Sequence, residues 1–434
     1  MDKEIKYEVE LLTGTKFLTN SEIQDLLKKN NWKVDDEGTI VENRNVGIIP
    51  QILDRWFEER VEFRKLAKKY GTEGNTAKYV FYNRRQHVQK ILLNSIYGCL
   101  GLPSWRFFDV DNAEATTTTG VTIVRTTEKL INKYYNAKMD TKDVDYVIYQ
   151  DTDSCFVSAL SLIKKTMSNV DVTNEAEMSK AILEVASNVQ DYINKTYGVM
   201  SNRLFNIESH RFHIKQEVIA KTGIWLAKKR YAQWIINNNG IACDELEIKG
   251  IDVVRTSFPV AFKKITKEII KDILEGKDKI YVNTKILEFK KSIKNLDVVD
   301  LAKNTAVKEL TKFEKKSRVP FSPCPLKTPA HALSAIAHND FLKKYGLAKK
   351  YEPIRSSQKI KWVYLKQNEL GIEKIAFKAD GADCPEILKF IDDYVDRNML
   401  YEQELIGKLK QFYNALHWEM PTENDATASK FFEF

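Results

Sequence analysis

Two aspartates, Asp151 and Asp153, are separated by a single residue, and carboxylates at this spacing can bind a metal ion. Short apolar segments, Val147–Ile148 and Cys155–Val157, flank them on either side. This pattern predicts a strand, a tight turn and a second strand, which would raise both carboxylates to the rim of a sheet. Carboxylate oxygens suit Mg²⁺, which binds through one or two protein carboxylates together with substrate phosphates. A turn without any metal is the alternative, because aspartate and serine are common turn residues.

A second set of candidate residues forms a polar stripe on a predicted helix. Lys90, Asn94 and Tyr97 are four and three residues apart, so they share one helix face. A lysine, an amide and an aromatic ring in one stripe could hold a triphosphate, a sugar and a base. Arg60 and Arg64 are also four residues apart, on a preceding predicted helix. If the two helices pack antiparallel, these groups could surround one anionic ligand; the alternative is a solvated basic face.

The helices that carry these groups are predicted from the spacing of apolar residues. Apolar side chains recur every three or four residues after Pro50. The pattern breaks at Gly71–Gly74, resumes over about Ala77–Ile96 and stops at Gly98, a common signal for a helix end. Two neighbouring helices joined by a short loop that contains glycine predict a helical hairpin.

The rest of the chain mixes predicted strands and helices. A hairpin is predicted over Trp32–Val41, with its turn at 35–38, and strands are predicted across 214–251 with a turn at Asn237–Gly240. From about Phe258 onward helical patterns dominate. The fold class that follows is α+β, organised in three substructures.

Composition limits the function classes. The chain has 434 residues, 43% of them hydrophobic, so it is long enough for two or three domains with cores. A net charge of +8 suits a polyanionic partner, although a lysine-rich protein can carry such a charge for solubility alone. No run of eighteen apolar residues occurs, and the N-terminus is charged from its second residue. We therefore expect no membrane span and no signal peptide, and a cytoplasmic location.

The cysteines and histidines do not form a metal site in any familiar pattern. Five scattered cysteines without a CxxC pair predict reduced thiols that pack as small apolar groups. The six histidines contain no HExxH pattern, and His210 with His213 makes only a weak zinc site. All six are expected to be structural or surface residues.

The order of the motifs resembles that of family B DNA polymerases. Lys90–Gly98 looks like motif B of that family, and Tyr149–Ser154 looks like motif C. Gly47–Arg64 resembles the first fingers helix, and Glu217–Tyr231 resembles the palm segment that grips the primer. Lys249–Ser257 is similar to the start of the thumb in polymerases of large tailed phages.

The resemblance extends from about residue 10 to the C-terminus and implies a right-hand architecture. It implies helical-hairpin fingers, a mixed β-sheet palm and a mainly helical thumb, without the N-terminal and exonuclease domains. The expected domains are an N-terminal portion of the palm at 1–45, fingers at 46–103, palm with motif C and the primer-grip segment at 104–245, thumb at 246–420 and a clamp-binding tail at 421–434.

The resemblance also implies residue roles by matching position. Asp153 would bind the catalytic metals, with Asp151 in a supporting role, and the metals would be two Mg²⁺ ions, with Mn²⁺ as a substitute. The dNTP would be bound by Arg60, Arg64, Lys90, Asn94 and Tyr97. Primer–template DNA would be contacted by Gly98, Thr152, Lys228, Lys229, Arg230, Tyr231, Lys249 and Arg255. On a strand, Lys228 and Arg230 would share one face, and Lys229 and Tyr231 the other.

One part of the family pattern is absent. The family supplies a second carboxylate strand in an Asp-x-x-Ser-Leu-Tyr-Pro-type motif, which by alignment would fall immediately before Met1. We therefore expect a second polypeptide, carrying the 3′–5′ exonuclease and the missing aspartate, to complete the palm, as in a naturally split polymerase gene. A fragment of a longer polymerase is the alternative. Exposed palm strands predict that the isolated chain is poorly soluble or assembles with its partner.

The last residues suggest a further partner. The tail ends in Phe431, Phe432 and Phe434 and resembles the C-terminal segment by which phage polymerases hold their sliding clamp. Aromatic residues at the end of a polar tail are plausible anchors for a pocket on another protein. The alternative is a terminus that is disordered or docked on the thumb.

The function that follows is template-directed DNA synthesis, with primer–template DNA and dNTPs as substrates. A catalytically silent subunit that holds DNA and clamp is the alternative from another class. The presence of Asp153 together with Lys90 and Tyr97 argues against it, because a DNA grip needs no contacts to a triphosphate. A protein-primed polymerase of the same family would carry insertions in palm and fingers, and the compact fingers segment has none.

Overall fold

A computed structural model describes residues 5–11, 14–34, 40–42, 46–205, 207, 210–313, 317, 319–379 and 384–422. The chain divides into two compact units, Met1–Gln216 and Glu217–Phe434. The boundary between the two units lies inside the segment 104–245, which the resemblance assigns to the palm. The two units therefore do not correspond to the expected domains, and the domain assignment stays a prediction. Helices and strands are both present, as the α+β prediction requires.

The first unit combines three short hairpins with long helices. In chain order its elements are β1 (Lys6–Leu11), β2 (Gly14–Thr19), α1 (Asn20–Asn30), β3 (Trp32–Val34), β4 (Ile40–Glu42), α2 (Ile48–Thr72), α3 (Thr76–Leu100), α4 (Val110–Met139), β5 (Val147–Asp151), β6 (Ser154–Val157), α5 (Leu160–Thr166) and α6 (Glu175–Phe205). Antiparallel pairs form between β1 and β2, between β3 and β4, and between β5 and β6. The β3–β4 pair confirms the predicted first hairpin, whose turn at 35–38 lies outside the described residues.

The predicted helical hairpin is confirmed, and its helices are longer than the sequence pattern indicated. Helices α2 and α3 pack along each other over most of their length. The second helix begins with Asn75, whose side chain accepts a hydrogen bond from the Lys78 amide and so caps the helix start. Helix α3 ends at Leu100 and is followed by Gly101. The spacing of apolar residues had predicted the helix end a few residues earlier, at Gly98.

A compact core in this unit lies between α4, α5 and α6. Ile131 and Tyr135 of α4 are buried with Ile193 and Tyr197 of α6. The hydroxyl groups of Thr127 and Tyr197 lie 2.6 Å apart, so the two helices share a buried hydrogen bond. The sequence interpretation did not identify α6, which supplies one side of the support under β5 and β6.

The second unit contains two three-stranded sheets and most of the buried core. In chain order its elements are β7 (Val218–Ala227), β8 (Arg230–Asn238), β9 (Ile241–Lys249), α7 (Val260–Leu274), α8 (Lys279–Ser292), α9 (Val298–Leu301), β10 (Lys303–Ala306), α10 (Ala330–Lys344), β11 (Lys359–Tyr364), β12 (Lys374–Lys378), α11 (Pro385–Tyr394), α12 (Arg397–Tyr401) and α13 (Gly407–Ala415). The antiparallel orders are β7–β8–β9 and β10–β11–β12.

The predicted strands across 214–251 are confirmed as β7, β8 and β9. Their second turn lies at Asn239–Gly240, within the predicted range, and both residues have positive φ. The prediction of mainly helical structure after Phe258 was incomplete, because β10, β11 and β12 form a sheet there. All but one of the residues of β11 and β12 are buried or half-buried, and the apolar run Ile375–Phe377 of β12 lacks the apolar–polar alternation that marks a half-exposed strand.

The cysteine prediction agrees with the structure. All five cysteines are free thiols, and Cys384 is buried whereas the other four are half-buried. Within the described ranges no three His, Cys, Asp or Glu side chains form a group that could hold a metal ion. The described helices also include none with the length and apolar character needed to cross a membrane.

A buried histidine makes the stability of the second unit depend on pH. His338 is 1% exposed, and its Nδ1–H donates to the carbonyl of Ala376 at 2.9 Å. Burial lowers the pKa of His338 from 6.5 to about 4. Between these values the unfolded chain binds a proton that the folded chain does not, so stability falls as the pH falls.

We expect the free energy of unfolding to be about 2 kcal/mol lower at pH 5 than at pH 7 because of this one group. Urea titrations at the two pH values, monitored by unfolding of the second unit, measure the difference. The His338→Gln variant keeps a donor for Ala376 but has no titrating group, so its pH dependence should be weaker by that amount. Equal pH dependence in the two proteins would contradict the assignment.

Candidate active site

The acidic turn connects β5 to β6 and holds its two aspartates differently. Asp151 lies opposite Ser154 in the hairpin, with Thr152 and Asp153 forming the turn. Thr152 has a φ of +42°, which the tight turn requires. The amide of Asp153 donates to the carbonyl of Asp151 at 2.5 Å, and the Ser154 hydroxyl donates to the same carbonyl at 3.1 Å. Asp151 is half-buried, whereas Asp153 is exposed at the tip.

The hairpin is attached to α4 by a half-buried polar contact. The Gln150 amide donates to the carboxylate of Glu128 at 2.8 Å. Cys155 lies opposite Gln150, and burial raises the pKa of its thiol to about 11, with a further contribution from Glu128. The thiol therefore stays protonated at neutral pH and packs as an apolar group. Sequence spacing gave no signal for Glu128, because it lies 22 residues before its partner.

The two aspartates fit part of a Mg²⁺ site. Their oxygens are hard ligands, and Asp153 is open to solvent at the end of the hairpin. The Thr152 hydroxyl donates to Asp151 at 3.0 Å and helps to orient its carboxylate. Since the described part of the chain has no third acidic, histidine or cysteine ligand nearby, other ligands would have to come from substrate phosphates, water or another segment.

The helical hairpin brings Arg60 and Lys90 close together along its axis. Gln89 of α3 donates a hydrogen bond to Glu59 of α2. Arg60 and Lys90 are the next residues of the two helices, and because the helices run in opposite directions, the two residues lie about 3 Å apart along the hairpin axis. Burial lowers the pKa of Arg60, and the neighbouring Arg64 lowers it further. The buried Nε of Arg60 has no hydrogen-bond partner within the described structure.

The predicted stripe on α3 is open to solvent. Lys90, Asn94, Tyr97 and Gly98 are all exposed, and Tyr97 retains 44% of its accessible surface. A Cβ added to Gly98 would meet no atom within 4 Å, so the fold itself does not require glycine there. Helix α4 contacts α3 as well as β5 and β6. One helix therefore supports both the cationic hairpin and the acidic turn.

A third candidate region lies in the sheet of the second unit. Lys228 and Lys229 form the turn between β7 and β8, and Lys229 has a φ of +61°. The expectation that Lys228 to Tyr231 form one strand with alternating faces was therefore wrong. A two-residue connection between antiparallel strands requires positive φ, so the lysines form the loop and only Arg230 and Tyr231 lie on β8.

A model of DNA polymerase family B matches residues 15–416 of the chain. The chain belongs to DNA polymerase family B. This membership covers the acidic turn, the helical hairpin and the β7–β9 sheet. Members of this family use divalent metal ions, which agrees with the carboxylates of Asp151 and Asp153.

Comparison with individual family B proteins gives the same result. The chain is 27% identical to the DNA-directed DNA polymerase of Enterobacteria phage T4 over 342 residues, which are 75% of this chain and 36% of that protein. It is 27% identical to the DNA-directed DNA polymerase of Escherichia phage RB69 over 360 residues, 80% of this chain and 38% of that protein. A DNA polymerase alpha catalytic subunit of Arabidopsis thaliana is 30% identical over 269 residues, 61% of this chain and 15% of that protein. The family B chain thus spans less than two-fifths of the length of each of these relatives.

In this family B chain, an aromatic pair flanks the turn between β7 and β8. Tyr231 lies opposite Trp225, and their rings stack with centroids 6.3 Å apart. On the other side Tyr231 lies opposite Lys249 of β9. The Lys249 ammonium binds the Glu247 carboxylate at 2.8 Å, and this hydrogen bond raises the pKa of Lys249. Lys249 therefore keeps its positive charge beside the turn.

The structure brings some predicted site residues together and leaves others undescribed. Asp151 and Asp153 share one turn in the first unit, and the lysine turn of the second unit lies beside Lys249. Arg255 is 67% exposed and pairs with Asp252 at 3.3 Å. Phe431, Phe432 and Phe434, the predicted clamp contacts, lie outside the described residues.

Proposed function

We propose that the chain performs template-directed DNA synthesis as the fingers-, palm- and thumb-bearing part of a phage-type DNA polymerase. The reaction would transfer a nucleotide from a dNTP to the 3′-hydroxyl of a primer. The observation that carries the proposal is that α4 contacts both the hairpin with the acidic turn and the helix that bears Lys90, so one helix supports the carboxylates and the cationic group. On one side of this helix lie the carboxylates of Asp151 and Asp153, and α3, which bears Lys90, contacts it as well.

The chain's own residues can position the reactants of this reaction. Phosphoryl transfer depends on positioning and on charge stabilisation more than on covalent chemistry. Arg60, Arg64 and Lys90 would bind the triphosphate, and the Nε of Arg60 offers a donor that the described protein leaves unused. Asn94 and Tyr97 would line the nascent base pair, and Gly98 would leave room for the template.

The aspartates would hold the divalent metals of the reaction. Two bound Mg²⁺ ions would activate the primer 3′-hydroxyl and stabilise the leaving pyrophosphate, with Mn²⁺ as a substitute. Asp153 is the exposed carboxylate and would take the larger role. Asp151 is held by its contacts in the turn and would support it. Thr152 would contact the DNA beside them.

The second unit has the positive net charge expected of a protein that binds nucleic acid. Residues 217–434 contain 38 Lys and Arg against 30 Asp and Glu, whereas residues 1–216 contain 30 of each. The whole excess of +8 therefore belongs to the second unit. Contacts from this unit to the DNA phosphates would position the duplex without reading its sequence. The residues proposed for these contacts are Lys228, Lys229, Arg230, Tyr231, Lys249 and Arg255.

We propose that a second polypeptide segment, bearing the first catalytic aspartate and the exonuclease, completes the palm. Two observations support this. The β5–β6 sheet has only two strands among the described residues, so the edges of this sheet can pair with a further strand. The hairpin also exposes half of the Ile148 side chain, a surface that a neighbouring strand would cover. A strand that added a carboxylate beside Asp153 would complete both the sheet and the metal site.

Primer extension with Mg²⁺ and all four dNTPs tests this proposal. The chain alone is compared with the chain co-expressed beside a polypeptide that carries an exonuclease domain and the missing aspartate motif. We expect synthesis only by the mixture. Synthesis by the chain alone would mean that another carboxylate of this chain completes the site. Duplex binding by the mixture without any synthesis would favour the silent DNA-holding subunit.

The remaining proposed partner is a sliding clamp bound by Phe431, Phe432 and Phe434. Deletion of residues 431–434 is expected to shorten the products made on clamp-loaded templates while leaving synthesis without clamp unchanged. Loss of synthesis in both conditions would contradict a clamp-specific role. Because two of its relatives are DNA polymerases of phages, we propose that the enzyme acts in the cytoplasm of an infected bacterial cell.

A further inference from the structure

Gly250 lies directly against the lysine turn of the second unit. It follows β9 and has a φ of +65°, in the left-handed region that favours glycine. A Cβ built on Gly250 would lie 1.8 Å from the carbonyl oxygen of Lys229 and 2.9 Å from its carbonyl carbon. These distances are far below van der Waals contact, so the backbones of the two residues approach each other too closely for any side chain.

The segment that carries Gly250 cannot easily move away from the turn. Ile251 is 1% exposed and belongs to the large core of the second unit. Asp252 binds the ammonium of Lys408 on α13 at 2.8 Å and the guanidinium of Arg255 at 3.3 Å. The two residues that follow Gly250, Ile251 and Asp252, are thus held in place by their own contacts. An added methyl group would therefore displace the Lys229 carbonyl rather than the segment that follows β9.

Arg230 is also affected by this packing. The ideal Cβ of Gly250 would lie 3.4 Å from Cγ of Arg230, and the buried Nε of Arg230 has no hydrogen-bond partner among the described atoms. The pKa of Asp252 is lowered, first by the hydrogen bond from Lys408 and further by the charges of Arg255 and Arg230. Arg230 therefore lies near an anchored carboxylate and beside Gly250.

We propose that Gly250 is a positioning residue for the turn that presents Lys228, Lys229 and Arg230 to the DNA backbone. It acts through direct contact of its backbone with the Lys229 carbonyl, and the contacts of Ile251 and Asp252 keep it in place. The DNA part of this inference rests on the proposed function. The position of the turn does not, and can be measured in the absence of DNA.

Gly240 provides a matched control in the same sheet. It has a φ of +84°, yet a Cβ there would meet no atom within 4 Å. Gly250→Ala and Gly240→Ala therefore impose the same kind of backbone strain, and only the first adds a collision. Asp252→Asn is a milder second variant, because it weakens the anchor without adding any atom to the turn.

Hydrogen–deuterium exchange of the full chain is the first measurement. Gly250→Ala is expected to raise exchange of the amides at residues 228–231 by about tenfold, and Asp252→Asn by less. Gly240→Ala should change exchange only at its own turn. Unchanged exchange at 228–231 in both Gly250→Ala and Asp252→Asn would overturn the proposal. If Gly250→Ala fails to fold, Asp252→Asn alone decides it.

Binding of a primer–template duplex is the second measurement. We expect Gly250→Ala to weaken duplex binding by about tenfold at fixed salt, with Gly240→Ala near wild type. In the complemented enzyme the KM for primer–template should rise while the KM for dNTP stays constant. Altered exchange with unchanged duplex affinity would overturn the role in DNA binding. A wild-type chain that binds no duplex would instead contradict the proposed function, and exchange would still decide whether Gly250 positions the turn.

Discussion

Replacement of Asp153 by alanine is expected to lower the rate of DNA synthesis by at least about 1,000-fold, which corresponds to about 4 kcal/mol of transition-state stabilisation. The reason is the position of this carboxylate. Asp153 is exposed at the tip of the β5–β6 turn, where an oxygen ligand can reach a metal ion and a substrate phosphate together. The measurement is single-turnover primer extension by the complemented enzyme with Mg²⁺.

The same variant should bind duplex DNA nearly as well as the wild type, since the proposed phosphate contacts lie elsewhere. Titrations at several salt concentrations measure that binding and its salt dependence. Asp143→Ala is a suitable control, because Asp143 is also an exposed aspartate in the first unit. Equal loss of synthesis and of duplex binding in Asp153→Ala would argue against a metal-binding role. An unchanged rate would exclude it.

Replacement of Lys90 by alanine is expected to lower kcat/KM for dNTP by about 10²–10³-fold, the loss typical of one preorganised electrostatic contact in a transition state. Lys90 is exposed on α3 and lies within about 3 Å of Arg60 along the hairpin axis, because both residues adjoin the Glu59–Gln89 contact. Its ammonium could therefore meet the same triphosphate as the guanidinium of Arg60. Steady-state kinetics at varied dNTP concentration with saturating primer–template measure the effect.

Arg84→Ala is the matched control for Lys90→Ala. Arg84 is an exposed cation on the same helix, six residues earlier, and it lines a groove of about 680 Å³ on a different face of α3. Loss of a positive charge alone should affect both variants equally, whereas loss of a triphosphate contact affects only Lys90→Ala. Similar kinetics in the two variants would contradict the assigned role of Lys90. If Lys90→Ala changed only the affinity for duplex DNA, Lys90 would be assigned to the residues that contact DNA.

The helical hairpin could be predicted from sequence because its determinants are local. Apolar residues repeat along α2 and α3, and a glycine-containing loop separates them within a few residues. The alignment between the two helices could not be predicted in the same way. It involves contacts such as that of Glu59 with Gln89, two polar residues thirty positions apart that show no pattern in the sequence.

The segment 217–231 shows the opposite case. Basic and aromatic residues at 228–231 were recognised from sequence, but their assignment to one strand was wrong. The turn at Lys228 and Lys229 depends on a left-handed residue and on pairing between Trp225 and Tyr231 across the hairpin. Lysine is not a typical residue for such a turn, so local preference favoured the wrong structure.

The sequence alone identified the family of the chain and the residues proposed for its chemistry. The acidic turn, the stripe on α3 and the basic segments depend on residue types at short spacing, which a one-dimensional pattern retains. The tertiary structure decided which distant residues support them. Examples are Glu128 under the acidic turn, Gly250 against the Lys229 carbonyl and Lys408 on Asp252. Such contacts join residues that are 20 or more positions apart, and no local preference for helix, strand or turn specifies them; they form only when the packed elements bring the chain together.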